Sequence, residues 1–198
     1  MNKTKSMHIL ILALATFLAV TQPAVAAADV YTADPIHSSA LFKVGHLGIG
    51  FVRGAFTDIS GTVKYDKKNP ANNFVEITIK TQSVNTFNAD RDTHLRSADF
   101  FDIEKFPSMS FKSKSFKKMK NGKFQVTGDF TLHGVTKTIT VPAEVVGEGD
   151  DPWGNHRAGF ESSFSIMRSD YGMDKLIPAA GNKVIITLVV EGIAKKDK

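Results

Sequence analysis

The sequence predicts an all-β fold made of antiparallel strands. Most of the chain beyond residue 28 alternates apolar and polar side chains with period two, which places neighbours on opposite faces of a strand. Tight-turn dipeptides such as Asn121-Gly122 and His133-Gly134 separate these stretches, as in antiparallel hairpins. No β-α-β alternation is visible. We therefore expect either a closed barrel or a two-sheet sandwich.

The N-terminal segment, residues 1–28, is predicted to be a secretory signal peptide. Two lysines and no acid precede the apolar run 9–20, and the small residues AVAAA then offer an A-x-A cleavage site ending at Ala26 or Ala28. The alternative is an uncleaved membrane anchor, for which this run is short. We expect residues 29–198 to form a single exported domain.

Eight long strands and one helix are predicted in this domain. The strands are expected at 36–46, 51–65, 74–81, 107–116, 122–133, 136–147, 156–168 and 182–193. The helix is expected near 88–98, because Asn88 can cap its first turn and Asp90 complements the helix dipole. No proline or glycine interrupts that stretch.

Composition restricts the function classes. The full chain carries 25 Lys and Arg against 20 Asp and Glu, and it contains no Cys. Without disulfides or thiolate ligands, stability must come from a hydrophobic core. The lysine-rich stretch 112–123 is typical of a solvated face, so nucleic acid is not an expected partner.

One face of the predicted strands is rich in phenylalanine. Phe42 shares its face with Ala40, Val44 and His46, and the same alternation turns five further phenylalanines inward: Phe56, Phe111, Phe130, Phe160 and Phe164. Small residues on these inward faces are expected to leave room for a ligand; they are Ala40, Gly128, Ala143, Ala158 and Ser162. A closed eight-stranded barrel is just wide enough for one slender ligand.

The segment RDTHLRSADFFD, residues 91–102, concentrates charges beside two aromatic residues. One arrangement packs Leu95, Phe100 and Phe101 against a barrel end and leaves Arg91 or Arg96 near the opening. Arginine there would offer charge-assisted hydrogen bonds to a polar head group. The alternative is a structural plug whose arginines and aspartates pair with one another and with the neighbouring loops.

Histidine and the usual catalytic motifs give no sign of a reaction centre. His37, His46, His94, His133 and His156 are scattered, without H-x-H or H-E-x-x-H spacing, and no G-x-S-x-G motif is present. We therefore predict no catalytic residues, no metal and no cofactor. His46 continues an inward stripe, and its imidazole is expected to bind either a backbone carbonyl or a ligand head group.

Four stretches resemble successive motifs of one known family. HSSALFKVGHLGIGFVRGAF, RDTHLRSADFFDIEKFP, GDFTLHGVTK and DPWGNHRAGF are similar to those of the YceI-like family of polyisoprenoid-binding proteins. The resemblance implies a lipocalin-like, extended eight-stranded antiparallel barrel in the periplasm. It also implies that a long-chain amphiphilic lipid, such as a polyprenyl pyrophosphate or an isoprenoid quinone, occupies the barrel interior.

The expected ligand-binding residues combine the inward stripe with the charged segment. They are Phe42, Val44, His46, Phe56, Arg91, His94, Arg96, Phe111, Phe130, Phe160 and Phe164. Two other classes stay open, an enzyme acting on the lipid head group and a ligand-free stress protein. A homodimer and transient contact with a membrane or a membrane redox protein are further alternatives.

Overall fold

The computed structural model describes residues 29–194, so the predicted signal peptide and the tail KKDK lie outside the described residues. This range contains eleven β-strands: β1 (Asp29–Ala33), β2 (Ser39–His46), β3 (Gly50–Phe56), β4 (Ile59–Tyr65), β5 (Phe74–Lys80), β6 (Val84–Asn85), β7 (Ser108–Lys118), β8 (Phe124–Leu132), β9 (Val135–Asp150), β10 (His156–Met167) and β11 (Ala180–Ala194). It also contains helix α1 (Ala89–Arg96) and three 3₁₀ turns, at Pro70–Asn72, Thr81–Ser83 and Arg168–Tyr171.

The strands close into one antiparallel barrel. The short strands form three pairs, β1/β2, β3/β4 and β5/β6, and each pair acts as one bent strand of the barrel. Together with β7 to β11 they form an eight-stranded barrel. The ring closes because β11 pairs with β10 on one edge and with both β2 and β1 on the other. The barrel prediction is confirmed and the two-sheet sandwich is excluded.

Most strand boundaries lie within a few residues of the prediction, with three differences. The first predicted strand, 36–46, begins at Ser39, because Asp34 accepts the Ile36 N–H at 2.9 Å and forms a turn. Strand 51–65 is divided between Phe56 and Ile59. Strands β1 and β6 were not predicted, since each is too short to show a periodic pattern.

The predicted helix is confirmed as α1. Asn88 caps it, with its side-chain oxygen accepting the Arg91 N–H at 2.9 Å. Asp92 is buried and accepts hydrogen bonds from the Thr86 N–H at 2.8 Å and hydroxyl at 2.5 Å. These bonds fix α1 against the segment that follows β6. Within residues 29–194, no helix is long and apolar enough to cross a membrane.

The core lies inside the barrel, with a smaller cluster beside it. The main cluster includes Phe56, Ile77 and Phe130, and the smaller one is formed by Phe124, Val126 and Val141. Burial of one such side chain contributes about 1.5–3 kcal/mol to folding. The expectation that all small inward residues leave room is wrong at two positions.

Gly128 leaves no space, because a Cβ there would lie 2.6 Å from Cζ of Phe111, whose ring fills the volume. Ala158, which is almost fully buried, does not line the cavity described below. The other three small residues, Ala40, Ala143 and Ser162, do line it. Room inside the barrel therefore depends on which large side chain faces each small one.

Candidate functional site

The barrel encloses an elongated, apolar cavity of about 380 Å³. Its lining includes residues from both halves of the bent strand β3/β4, from Val52 in β3 to Tyr65 at the end of β4. Most of the lining side chains are aliphatic or aromatic. A long, narrow and water-poor space of this kind fits a slender apolar chain.

Helix α1 and the segment after it cover one end of the cavity, here called the α1 end. Leu95, Phe100 and Phe101 line the cavity there, and the Phe101 ring packs edge-on against Phe56 with centroids 5.2 Å apart. His46 and His94 are exposed and also line this end. Polar groups therefore border the cavity at the α1 end while its interior stays apolar.

The two arginines of the charged segment differ in position. Arg91 lines the cavity and donates through Nε to the Thr86 hydroxyl and through Nη2 to the Thr86 carbonyl, both at 2.8 Å. Arg96 lies outside the lining, and its guanidinium donates to the carbonyls of Gln82 at 2.9 Å and Val84 at 2.8 Å. Arg96 therefore fastens α1 to the segment before it, as in the structural-plug alternative.

The histidines of the α1 end are also placed differently from each other. His94 Nε2 lies 2.9 Å from Oδ2 of Asp99, whose other oxygen lies 3.2 Å from Lys175 Nζ. Hydrogen bonds from His94 and Lys175 hold the pKa of Asp99 below its usual range. Within the described residues the His46 imidazole makes no hydrogen bond, so the expected backbone-carbonyl partner is not formed.

A third arginine at the α1 end, Arg168, was not among the predicted binding residues. Arg168 is 5% exposed and lines the cavity. It donates to the carbonyls of Gly181 at 3.0 Å, Lys175 at 2.8 Å and Ala180 at 2.8 Å, and also to that of Met173. Burial lowers its pKa. This buried cation fixes the loop that borders the α1 end, and no local sequence pattern marks it.

The opposite end of the cavity lies beside the turn between β4 and β5 and is here called the turn end. Tyr65, Asn73, Phe116 and Phe124 line it. The Tyr65 ring packs edge-on against Phe124 at 6.2 Å and Phe160 at 6.0 Å between centroids. Burial raises the pKa of Tyr65. Aromatic rings thus narrow the cavity at this end.

Ten of the eleven predicted binding residues line the cavity. Phe42, Val44, His46, Phe56, Arg91, His94, Phe111, Phe130, Phe160 and Phe164 all line the cavity, whereas Arg96 does not. Sequence reasoning did not single out many aliphatic lining residues, among them Ile77, Ile79, Met109, Val126, Leu132, Val141, Ile186 and Leu188. Most of them belong to the apolar strand faces that the period-two pattern predicts, although they were not among the predicted binding residues.

A group of polar residues lies outside the cavity, near the start of the barrel. Asp34, His37 and Glu191 bring ligand atoms within 4.8 Å of one another, an arrangement able to hold a cation. The Arg157 Nη1 lies 2.8 Å from Asp34 Oδ2 and 2.6 Å from Glu191 Oε1, and its Nε lies 2.7 Å from Asp151 Oδ2. A guanidinium therefore already provides the positive charge of this group.

Comparison with known proteins gives matches over most of the chain. The model of the YceI-like domain family matches residues 31–192. Protein YceI of Salmonella arizonae is 42% identical over 183 residues, which cover 92% of this chain and 95% of the relative.

Solved structures agree with this match. A YceI protein of Campylobacter jejuni is 34% identical with a TM-score of 0.69, and the alignment covers 77% of this chain and 90% of that one. A domain of Saccharophagus degradans, described as polyisoprenoid-binding, is 16% identical with a TM-score of 0.64 and shares the fold. That alignment covers 83% of this chain and 98% of that domain.

Proposed function

This chain belongs to the YceI-like family, and we propose that it binds a long-chain isoprenoid lipid inside the barrel. The observation that carries this proposal is the elongated apolar cavity of about 380 Å³. A tail enclosed there is held without specific polar contacts, because each buried CH₂ contributes about 0.8 kcal/mol. The polyisoprenoid-binding description of the Saccharophagus degradans domain supports the same ligand class.

The side chains proposed to contact the tail are the inward aromatic ones. Phe42, Phe130 and Phe164 come from three different strands, and all three line the cavity. The Phe130 and Phe164 rings pack edge-on with centroids 6.3 Å apart. Such rings offer a large apolar contact area with little conformational freedom to lose, which favours binding of a flexible chain.

The α1 end is proposed to receive a charged or polar head group. Arg91 keeps Nη1 without an acceptor among the described residues, while Nε and Nη2 are held by Thr86. A fixed guanidinium with one unused donor group suits an anionic head group such as a pyrophosphate. His94 and His46 border the same end and complete the proposed contact surface.

We propose a carrier or storage role in the periplasm rather than catalysis. The polar groups at the α1 end are largely held by protein partners, as with His94 and Asp99. An enzyme acting on the head group would turn over a polyprenyl pyrophosphate, and a steady-state phosphate-release assay distinguishes the two roles. A ligand-free stress protein would need a filled interior, which the cavity volume argues against.

The proposal is tested by identifying what the protein carries. Protein purified without detergent is extracted with organic solvent, and the extract is analysed by mass spectrometry. We expect a stoichiometric isoprenoid lipid. An extract without lipid, together with no binding of added polyprenyl compounds, would contradict the proposal.

A pair of variants separates cavity binding from surface adsorption. Ala143 lines the cavity, whereas Thr140 on the same strand is exposed. Ala143→Phe should reduce the amount of co-purified lipid, because the larger ring occupies ligand volume. Thr140→Phe adds the same ring outside the barrel and should leave the lipid content unchanged. Equal lipid content in all three proteins would show that the lipid binds elsewhere.

A further inference from the structure

Several large apolar side chains are exposed to water around the α1 end of the barrel. Ile49, at the tip of the β2–β3 hairpin, is 85% exposed, and the Leu47 N–H of this tip donates to the Ala179 carbonyl of the neighbouring loop at 2.8 Å. Strand β6 runs beside β3 toward the same tip and is followed by Phe87, which is 87% exposed. We call this set the apolar rim; it consists of Leu47, Ile49, Phe51, Phe87, Leu176 and Ile177. Soluble monomers rarely expose so many large apolar side chains together, so the rim marks an interaction surface.

Three rim residues are held in a backbone conformation that is unfavourable for them. Their φ angles are +53° at Leu47, +62° at Phe87 and +61° at Leu176. This left-handed region suits Gly and Asn, whereas a large side chain adopts it at an energetic cost. Leu47 and Gly48 form the tight turn of the hairpin, where Asn-Gly is the favoured pair. Neither folding nor solubility therefore explains why large apolar residues occupy these exposed positions.

The barrel wall beside the rim is positively charged. It is formed by residues 39–56 and 180–190, which contain no acid. Its basic residues are Lys43, Arg53 and Lys183. The Lys43 Nζ lies 3.9 Å from the centre of the Phe51 ring, so a cation and an exposed aromatic side chain lie together on the outer surface. The exposed acids next to the rim are Asp90 and Asp174, so positive charge is in excess.

This combination fits an anionic membrane surface better than a second copy of the chain. Symmetric pairing of two rims would bring their basic residues together, which like-charge repulsion disfavours. A bilayer accepts apolar side chains at the level of its head groups, while its anionic phosphates attract the basic residues around them. Asp29 and Ala194, the first and last residues that the structure describes, lie at the end of the barrel away from the rim.

We propose that the apolar rim inserts into the surface of a membrane that contains anionic phospholipid, with the α1 end of the cavity facing the bilayer. Leu47, Ile49 and Phe87 enter the apolar layer, while Lys43 and Arg53 contact phosphate groups. The inference rests on the proposed function, because the bilayer is the source or the destination of the bound isoprenoid. A lipid tail then passes between bilayer and cavity without crossing water.

The first experiment measures binding to vesicles by flotation. The probes are vesicles of phosphatidylglycerol with phosphatidylethanolamine and vesicles of phosphatidylcholine alone. We expect binding to the phosphatidylglycerol vesicles, weakened by added salt. The double variant Leu47→Asn/Phe87→Asn should lower this binding by about ten-fold or more, because two large apolar side chains no longer leave water. Its melting temperature should be unchanged or higher, since Asn tolerates the left-handed backbone.

Two further variants test charge and position, and none of the substituted residues lines the cavity. Arg53→Gln/Lys183→Gln should lower binding to phosphatidylglycerol vesicles by about five-fold for each charge removed. Val146→Asn removes an exposed apolar side chain from β9, away from the α1 end, and should bind as wild type does.

Tryptophan fluorescence reports which end of the barrel faces the bilayer. Trp153 is the sole tryptophan of the chain and lies in the β9–β10 turn, at the end of the barrel away from α1. Its emission should stay unchanged when phosphatidylglycerol vesicles are added. In Trp153→Phe/Phe87→Trp the single tryptophan lies in the rim, so its emission should move to shorter wavelength and should be quenched by brominated lipid chains.

The outcomes distinguish this inference from the proposed function. Absence of vesicle binding, equal binding by Leu47→Asn/Phe87→Asn and wild type, equal binding to the two kinds of vesicle, or a shift of Trp153 emission would overturn the membrane contact. A dimer in solution that dissociates in the double variant, without vesicle binding, would assign the rim to self-association and would also overturn it. Absence of an isoprenoid from the organic extract, with vesicle binding intact, would instead count against the proposed function.

Discussion

Replacement of Arg157 by glutamine removes the cation that joins three carboxylates near the start of the barrel. Arg157 bridges Asp34 at 2.8 Å, Asp151 at 2.7 Å and Glu191 at 2.6 Å. The Asp34 side chain is 7% exposed and that of Asp151 is 5% exposed. Arg157→Gln therefore leaves two buried carboxylates without their main positive partner.

These contacts determine how much the free energy of unfolding should fall in Arg157→Gln. Breaking a buried ion pair by removing one partner costs about 3–5 kcal/mol. Asp34 keeps the Ile36 N–H and His37, and Asp151 keeps the N–H groups of Trp153 and Asn155. These remaining bonds place the loss near the lower limit, at about 3 kcal/mol. For a chain of this size the melting temperature should fall by roughly 6–12 °C.

The loss should also depend on pH. Hydrogen bonds from His37 and Arg157 hold the pKa of Asp34 well below its usual range, and Arg157 does the same for Asp151. A carboxyl with a lowered pKa in the folded state contributes stability above its unfolded pKa of about 3.9 and loses it as the pH falls toward the folded value. The difference between wild type and Arg157→Gln should therefore be full at neutral pH and should shrink below about pH 4.

Urea unfolding at neutral pH and at about pH 3 measures both quantities. Arg53→Gln makes the same charge change at an exposed position of β3 and should cost little at either pH. A loss for Arg157→Gln of less than about 1 kcal/mol would refute the stability argument. An equal loss at both pH values would show that the effect is steric and does not come from charge.

Four further variants test the barrel and the cavity. Gly61→Ala should destabilise the protein by more than about 2 kcal/mol in urea unfolding, because φ is +151° and the added Cβ would lie 2.1 Å from the Glu76 carbonyl oxygen. Phe130→Asp should lower both the melting temperature and lipid retention, since it places an unpaired charge in the cavity wall, at a cost of several kcal/mol. Arg91→Ala should weaken a pyrophosphate-headed lipid by about 1–3 kcal/mol in titration and spare a neutral one. Arg96→Ala should lower the melting temperature without this selectivity, because its guanidinium holds backbone carbonyls.

The features predicted correctly are those that depend on local pattern. Phe42, Phe130 and Phe160 face inward as the period-two alternation requires, and Asn88 caps helix α1. Such signals arise from neighbours within a few residues, so one sequence is sufficient to predict them. The choice of barrel over sandwich came from the family resemblance, because alternation alone is the same in both folds.

The features that were missed depend on residues far apart in the chain. Arg157 meets Asp34 across 123 positions and Glu191 across 34, so no window of sequence contains the group. The space beside Gly128 is filled by a phenylalanine of the neighbouring strand, which only the strand register shows.

The pairing of the last strand with the first sets the order in which this barrel can form. Gly192 and Ile193 of β11 pair with Ala33 and Thr32 of β1, so the ring has no closed form until nearly the whole chain is present. Contacts between residues so far apart in the sequence cost loop-closure entropy before they contribute any stabilisation, and this slows folding. A chain that ends before β11 exposes the free edges of β2 and β10, and such unpaired edges promote aggregation. Removal of β11 from the C-terminus should therefore abolish folding abruptly, because the barrel cannot close without it. In the full-length chain, closure of the barrel is expected to be a late and slow step of folding.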